Sequence, residues 1–384
     1  MTSEPVRLAT TAASDPYARG RELGAGNAGA VREAYARYGE LWGAYGVAAG
    51  EVRTVGKAVL DPVADFHPPA RAEIAGIAAG AGLADWQVGA LNARTELLAL
   101  GDQRLVAAGR LPGDGGECST LVRLPAGGSP LTAQTWDWHS PLARSWFVWT
   151  LEPSAGRRVA TLTEYGIVGK LGVASRTGAD GVRRGVLSAH FNAVRHRADT
   201  GLGGVPVHVV ARRVLDEADS MQDAVEIAAK AEVSASVALT VTARDEDSGH
   251  WVAATLELHP GGPSLQRMSD VGRDGCWLAH TNHFVAPDAA GDDVRSPVST
   301  TVERLDRVAA VASAAHPRTA QQAAELLATH DLGSRSVCVH GFPDAPVGQR
   351  TATLAVAVTE PATGRLHVHA GKPCEARADS WWSG

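Results

Sequence analysis

Residues 110–124 read RLPGDGGECSTLVRL, and the character of the chain changes inside them. The Gly, Pro and Asp of RLPGDGGE (110–117) are turn formers, so this stretch reads as an exposed loop. CSTLVRL (118–124), the turn PAGGSP (125–130) and LTAQTW (131–136) together read as a β-hairpin. Cys118 therefore stands where a loop meets a strand, with the hydroxyls of Ser119 and Thr120 directly after it. A thiol in that position, with no nearby cysteine to pair with, is a candidate nucleophile.

Upstream of this point the signals are helical. In AGAVREAYARYGELWGAYG (28–46) Val31, Ala34, Tyr35, Tyr38 and Leu41 recur at three- and four-residue spacing, the mark of an amphipathic helix. HPPARAEIAGIAAG (67–80) opens a second helix with Pro68 and Pro69 in its first turn. LADWQVGALNARTELLAL (83–100) predicts a third, with Asp85 as N-cap. Downstream, strands are expected at SWFVWTLE, RVATLTE, GVLSAHFN, ASVALTVTAR, HWVAATLELH, CWLAHTN, TATLAVAVTE and RLHVHA. Helices are expected at 205–218, 221–231, 300–315 and 319–330. Many antiparallel-looking strands with helices in pairs between them point to an α+β layered fold, not a strict βαβ alternation.

The 384 residues, 45% hydrophobic and 20% charged, suit a globular protein of one large domain or two small ones. A net charge of −6 argues against nucleic acid as a partner, because phosphate binding calls for a basic excess. The first twenty residues have no apolar core of a secretory signal. Apolar runs such as ATLAVAV (352–358) fall short of the ~18 residues of a membrane helix. Four cysteines, Cys118, Cys276, Cys338 and Cys374, are too few and scattered for a disulfide framework, and without a CxxC pair no structural zinc site is expected. The expectation is a cytoplasmic protein with no membrane contact, no cofactor and no metal, in which the last three cysteines are buried thiols.

GAGNAG (24–29) fits G-x-G-x-x-G, but YARGREL before it cannot be the buried strand that a dinucleotide site needs. HVH (367–369) puts two imidazoles on one strand face with no third ligand at obvious spacing. Trp136, Trp138, Trp146 and Trp149 crowd one short stretch of a chain with 10 Trp in all. Strand alternation gives Trp136 and Trp138 one face and Asp137 the other. Trp138 or Trp146 is the expected contact for an apolar substrate group.

Several stretches in the same order resemble the acyl-coenzyme A:isopenicillin N acyltransferase family of N-terminal nucleophile hydrolases, a group of autoproteolytic acyltransferases and amidohydrolases. DPYARGRELG (15–24) is similar to its P-Y-x-x-G-x-x-x-G segment, and EIAGIAAGAG (73–82) and LNARTELL (91–98) to its E-x-x-G-I-A-x-G-A and L-N-x-R-T-E stretches. ECSTLV (117–122) resembles the processing site, AQTWDWH (133–139) the Q-N-W-D motif, TEYGIVGKLGVASRTG (163–178) the T-E-x-G-I-I-G-K segment, and HTNHF (280–284) the H-T-N-H motif.

The resemblance implies a four-layer αββα fold and a precursor that cuts itself between Glu117 and Cys118. Residues 1–117 would become a helical small subunit and 118–384 the catalytic large one, together forming a single domain. Cutting there gives Cys118 a free α-amine, whose pKa near 7.7–8.0 suits it as general base for its own thiol. The resemblance also implies that Asp137 orients this amine and that Asn282 donates to the oxyanion, with Thr120 and Ser236 as hydroxyl contacts near the nucleophile. Glu117 stands where the best-known β-lactam members carry glycine. Val339 in SVCVHG (336–341) stands where a basic residue is usual, with His340 next to it as the substitute. The expected activity is hydrolysis of a small-molecule amide or acyl-thioester. The alternatives are N-acyl transfer to an amine in natural-product assembly and a non-catalytic relative that only binds. Acyl group, amine and oligomeric state are left open.

Overall fold

The structure is a computed structural model that describes residues 5–107, 118–126, 128–267, 275–296, 298–341 and 344–384. Seven helices come first after a short strand, β1 (Leu8–Thr10). They are α1 (Pro16–Gly26), α2 (Ala28–Ala44), α3 (Ala49–Ala58), α4 (Leu60–Phe66), α5 (Pro68–Ala81), α6 (Asp85–Asn92) and α7 (Arg94–Ala107). Then follow β2 (Ser119–Leu124), β3 (Leu131–His139), β4 (Trp146–Ser154), β5 (Arg157–Glu164), β6 (Leu171–Thr177) and β7 (Arg183–Ala193). After α8 (Val207–Glu217) and α9 (Met221–Ala229) come β8 (Val237–Arg244), β9 (Trp251–His259), β10 (Gly262–Arg267) and β11 (Cys276–His280). The chain ends with α10 (Thr301–Ala314), α11 (Ala320–Leu327), β12 (Thr351–Glu360), β13 (Arg365–Ala370) and β14 (Trp381–Ser383).

The strands form two sheets. One has the order β1-β4-β5-β6-β7-β8-β9-β10 and the other β11-β2-β3-β12-β13-β14. Every pairing is antiparallel except β1 on β4. The expected hairpin is present, with Ser119 opposite Thr135 and Arg123 opposite Leu131. Both strands are buried along their whole length, with side chains alternating between two covered faces. Leu121, Leu131 and Ala133 join Val308, Ala312 and Ala324 of α10 and α11 in one apolar cluster on the outer face. Val122 and Leu124 turn the other way, against Ala253 of β9. Thr132 Oγ1 meets Thr242 Oγ1 of β8 at 3.0 Å, and Gln134 Nε2 donates to the Phe191 carbonyl at 2.7 Å. The two sheets thus face one another, with α8 and α9 against the larger sheet and α10 and α11 against the smaller. This is the α+β class expected.

One expected helix needs correcting. Residues 83–100 are two helices, not one, and Ala84 is the N-cap with Asp85 already inside α6. The break falls beside Asn92, whose side chain donates to the carbonyls of Val88 and Gly166 and accepts from Val168 N–H, pinning the helix end to the β5–β6 connection. GAGNAG lies within α1 and the start of α2 and follows helix, not strand.

Its real neighbour is α5. Gly20 and Gly24 of α1 face Gly76 and Gly80 of α5, so the two backbones touch. A Cβ on Gly76 would overlap the Tyr17 carbonyl oxygen and the Arg21 amide. The glycines repeating every fourth residue therefore encode a helix crossing, and only hydrogen fits between. Gly76→Ala forces α1 and α5 apart, and overpacking of this kind costs about 1–3 kcal/mol. Chemical denaturation should register that loss, whereas Gly29→Ala, with open space around its Cβ position, should change stability little.

Candidate active site

Cys118 is the residue before β2, and it is buried in the large cluster between the sheets together with Trp136 and Trp138. Its thiol lies 3.8 Å from the Asp137 carbonyl oxygen on the neighbouring strand. Among the described residues no histidine stands within hydrogen-bonding reach of Sγ, although all 14 are described. Burial pushes the thiol up to about 11, reinforced by the Asp137 charge and opposed by Lys170 and Arg304. Such a thiol stays protonated at neutral pH and needs a base.

Asp137 points to the opposite face of β3 from Trp136 and Trp138, as strand alternation requires. Its Oδ1 accepts from Thr353 Oγ1 at 2.6 Å. Thr353 owes that position to a β-bulge: pairing with β3 slips between Thr353 and Ala355, so the side chains before and after Leu354 change phase. Val339 N–H donates to Thr353 Oγ1 at 3.0 Å, completing a relay from Val339 through Thr353 to Asp137.

Asn282 follows β11 and is joined to Cys118 by a residue that sequence reasoning missed. Arg304, wholly buried in the first turn of α10, donates through Nη1 to the Cys118 carbonyl at 3.0 Å and to Ser119 Oγ at 2.8 Å. Its Nη2 donates to Asn282 Oδ1 at 3.1 Å. That contact fixes the amide, so Nδ2 is the donor end, and it reaches the Ala193 carbonyl at 2.8 Å. The signal for Arg304 was present in the sequence. Thr301, Arg304, Val308 and Ala312 are the buried face of α10, and a guanidinium on an apolar stripe demands a partner.

Thr120 and Ser236 are hydrogen-bonded to groups other than the thiol. Thr120 Oγ1 donates to Asn192 Oδ1 at 2.6 Å across the sheets, and Ser236 Oγ to Asp199 Oδ1 at 2.6 Å. Trp138 and Ser236 share the lining of a cavity of about 30 Å³ with Arg94 and Asp199. That volume holds a water molecule and little more. Trp146 packs edge-on against Trp136, 6.0 Å between ring centres, and lines none of the described cavities. His340 does not turn to this site. Its Nε2 lies beside His330, Cys338 and Cys374, so two of the four cysteines are gathered, not scattered. Glu117 lies outside the described residues.

Beneath the tryptophans is a buried ionic group. Glu164 accepts from Arg94 Nε at 3.1 Å and from the Tyr38 hydroxyl, with Lys170 Nζ at 3.6 Å. Burial alone would raise the Glu164 carboxyl, but Arg94 and then Lys170 outweigh it and hold it below the usual range. Burial brings Lys170 down to about 7, against the pull of Glu164. Lys170 Nζ lies 3.7 Å over Trp136, and the Arg94 guanidinium 4.1 Å over Trp138, whose indole N–H donates to Tyr38 at 2.9 Å. Stretches 91–98, 133–139 and 163–178, far apart in sequence, therefore meet at one place.

A family model described as acyl-coenzyme A:6-aminopenicillanic acid acyl-transferase matches residues 125–375. The chain belongs to this acyltransferase family. The matched stretch holds Asp137, Ser236, Asn282 and Arg304 and begins after Cys118. Acyl-group chemistry is the general activity that membership brings. Among the described residues no helix is long and apolar enough to cross a membrane.

Next to the cavity, Glu96 of this acyltransferase-family chain accepts the first N–H of α8, from Val207, at 2.9 Å. Burial lifts its carboxyl to about 7, and it faces Asp199, itself lifted by burial to about 6. A carboxyl raised on folding binds its proton more tightly in the native state. Its contribution is therefore complete below the unfolded pKa near 4.5 and is lost as pH rises through 7. For Glu96 that loss is at most about 3 kcal/mol. Glu96→Gln, which keeps the neutral shape, should gain on wild type as pH goes from 5 to 8, read by urea unfolding at each pH.

Proposed function

We propose that this chain is a self-processing cysteine N-terminal-nucleophile amidohydrolase, a four-layer αββα sandwich that acts on a small molecule through an acyl-thioester on Cys118. The observation that carries the reading is the thiol itself: raised by burial, without a histidine, and joined through Arg304 to Asn282. A base is needed, and the amine of a newly exposed Cys118 is the one that needs no further side chain.

In the precursor the thiol attacks the Glu117 carbonyl carbon. The C–S bond forms, the C–N bond to Cys118 breaks, and water hydrolyses the resulting thioester. Residues 1–117 and 118–384 then remain as two subunits of one domain. In turnover the α-amine takes the thiol proton while the thiolate attacks the substrate amide. Asn282 Nδ2 donates to the oxyanion, where a fixed N–H meets charge that exists only in the transition state. The α-ammonium returns its proton to the departing amine, and water releases the acid. Asp137, aimed by Thr353, orients the α-amine, while Lys170 and Arg304 favour the thiolate electrostatically. Trp138 walls the water-sized cavity with Ser236, so an acyl chain would meet it only if that cavity widens on binding.

The family description favours a second reading, N-acyl transfer, in which an amine replaces water at the thioester. Product analysis with and without an amine acceptor separates the two.

Intact-mass measurement should find fragments corresponding to 1–117 and 118–384, and Cys118→Ala should stay one chain. A wild-type chain that remains uncut yet active would sink the mechanism. Asn282→Ala should lower kcat by ~10²–10³ with little change in KM, because an oxyanion donor acts on the transition state alone. Near-normal kcat in the folded variant would remove Asn282 from the site.

A further inference from the structure

His330, Cys338, His340 and Cys374 come from three separate segments, and their ligand atoms all lie within 4.8 Å of one another. His330 follows α11, Cys338 and His340 lie between the 3-10 turn Gly333–Arg335 and β12, and Cys374 lies in the 3-10 turn Pro373–Glu375 after β13. Cys338 and His340 are two residues apart, and Cys338 Sγ lies 3.6 Å from His340 Nε2. Cys338 N–H donates to the Thr329 carbonyl at 3.3 Å, which brings His330 alongside.

Hydrogen bonding alone does not account for the geometry. His340 Nε2 lies 3.0 Å from His330 Nε2, 3.6 Å from Cys338 Sγ and 3.4 Å from Cys374 Sγ. One imidazole nitrogen either donates one bond or accepts one; it cannot serve three partners that also converge on each other. The two sulfurs are 3.5 Å apart. A tetrahedral zinc with Zn–S near 2.3 Å and Zn–N near 2.05 Å would separate sulfur from sulfur by ~3.8 Å, sulfur from nitrogen by ~3.5 Å, and nitrogen from nitrogen by ~3.3 Å. The nitrogen–nitrogen spacing is the shortest, as that geometry requires, and all four spacings lie within about 0.3 Å of it.

We propose that these four side chains bind a zinc ion. Two thiolates and two neutral imidazoles around Zn²⁺ form a neutral centre, so none of the nearby charges is needed to balance it, and Lys372 and Glu375 pair with each other at 2.9 Å. Four protein ligands close the coordination shell, which makes the ion structural. It ties the end of α11, the approach to β12 and the C-terminal turn together. Val339, held between two ligands, is the residue whose N–H supports Thr353 and through it Asp137.

Elemental analysis of the untagged full chain should find one zinc per chain that survives dialysis. The Cys338→Ser/Cys374→Ser double variant should lose it, and Cys276→Ser and Cys118→Ala should keep it. Because the double variant can fail to fold, zinc-edge X-ray absorption of the wild type gives a second reading: two sulfurs at about 2.3 Å and two nitrogens at about 2.0–2.1 Å. Stripping zinc with a chelator should expose two more titratable thiols and lower Tm. A chain without stoichiometric zinc, a Cys338–Cys374 disulfide in the native protein, or a zinc shell of oxygen and nitrogen alone would overturn the proposal. None of these measurements depends on cleavage or turnover.

Discussion

Two carboxylates buried completely between the N-terminal helices and the sheets set the terms for the rest of the molecule. An ionised carboxylate removed from water is tolerated only with cations and hydrogen bonds around it. Glu73 of α5 receives Arg19 of α1 at 2.6 Å and Arg212 of α8 at 2.7 Å, and Arg212 continues to Asp216 and His67. Glu164 of β5 receives Arg94 of α7, Tyr38 of α2 and Lys170. Each network joins residues before Cys118 to residues after it. If the chain is cut before Cys118, the helical segment stays bound, because separation would take Arg94 from Glu164 and Glu73 from Arg212 and leave those buried groups short of counter-charge. The same pairing seats Trp136 and Trp138 under two cations, so the wall next to Cys118 is fixed by electrostatics as well as packing.

The seam also explains how much the sequence could tell. Strands with alternating faces or a continuous apolar run were legible to the residue: 351–360 and 365–370 are β12 and β13 as read. The hairpin was legible too, because its turn chemistry and its pattern agree, although β2 begins at Ser119 and β3 runs on to His139. The short edge strands β1 and β14, and β6 with its glycine and polar residues, carry too little pattern to be read alone. The break at Ala93 was illegible for a different reason, since it depends on Asn92 reaching a turn more than seventy residues away. Sequence resemblance singled out Gly20, Gly24, Gly76 and Gly80 without saying why. The structure supplies the reason in the contact of α1 with α5.

The site was partly legible by the same logic. Cys118 was singled out by its setting and Asp137 and Asn282 through the family resemblance, but neither route reached Arg304, although a guanidinium on the buried face of α10 asks for a partner. Arg304 lies on a helix with an otherwise ordinary amphipathic pattern, and its partners are a carbonyl, a hydroxyl and an amide from three other places in the chain. The His and Cys cluster was hidden because spacing rules for metal sites assume paired ligands close in sequence. Here only Cys338 and His340 are close; His330 and Cys374 arrive through the fold. A search for CxxC looks for local geometry and misses sites that tertiary structure assembles.

The position of Asp137 shows how these constraints act together. Its carboxylate is aimed by Thr353, and Thr353 is available only because the bulge at Leu354 changes the phase of β12 halfway along. Without the bulge, the register that turns Val356 and Val358 toward α11 would turn Thr353 away from Asp137, since side-chain direction repeats every second residue. Strand β12 thus serves two environments, an apolar outer layer at one end and a polar relay at the other. The polar end needs support that packing does not give, and it comes from Val339, whose backbone bonds to Thr353 at both N–H and C=O. Whatever holds Cys338 and His340 in place therefore also holds the Asp137 carboxylate. A disturbance at the outer cluster would reach Asp137 through two hydrogen bonds and one side chain, without touching Cys118.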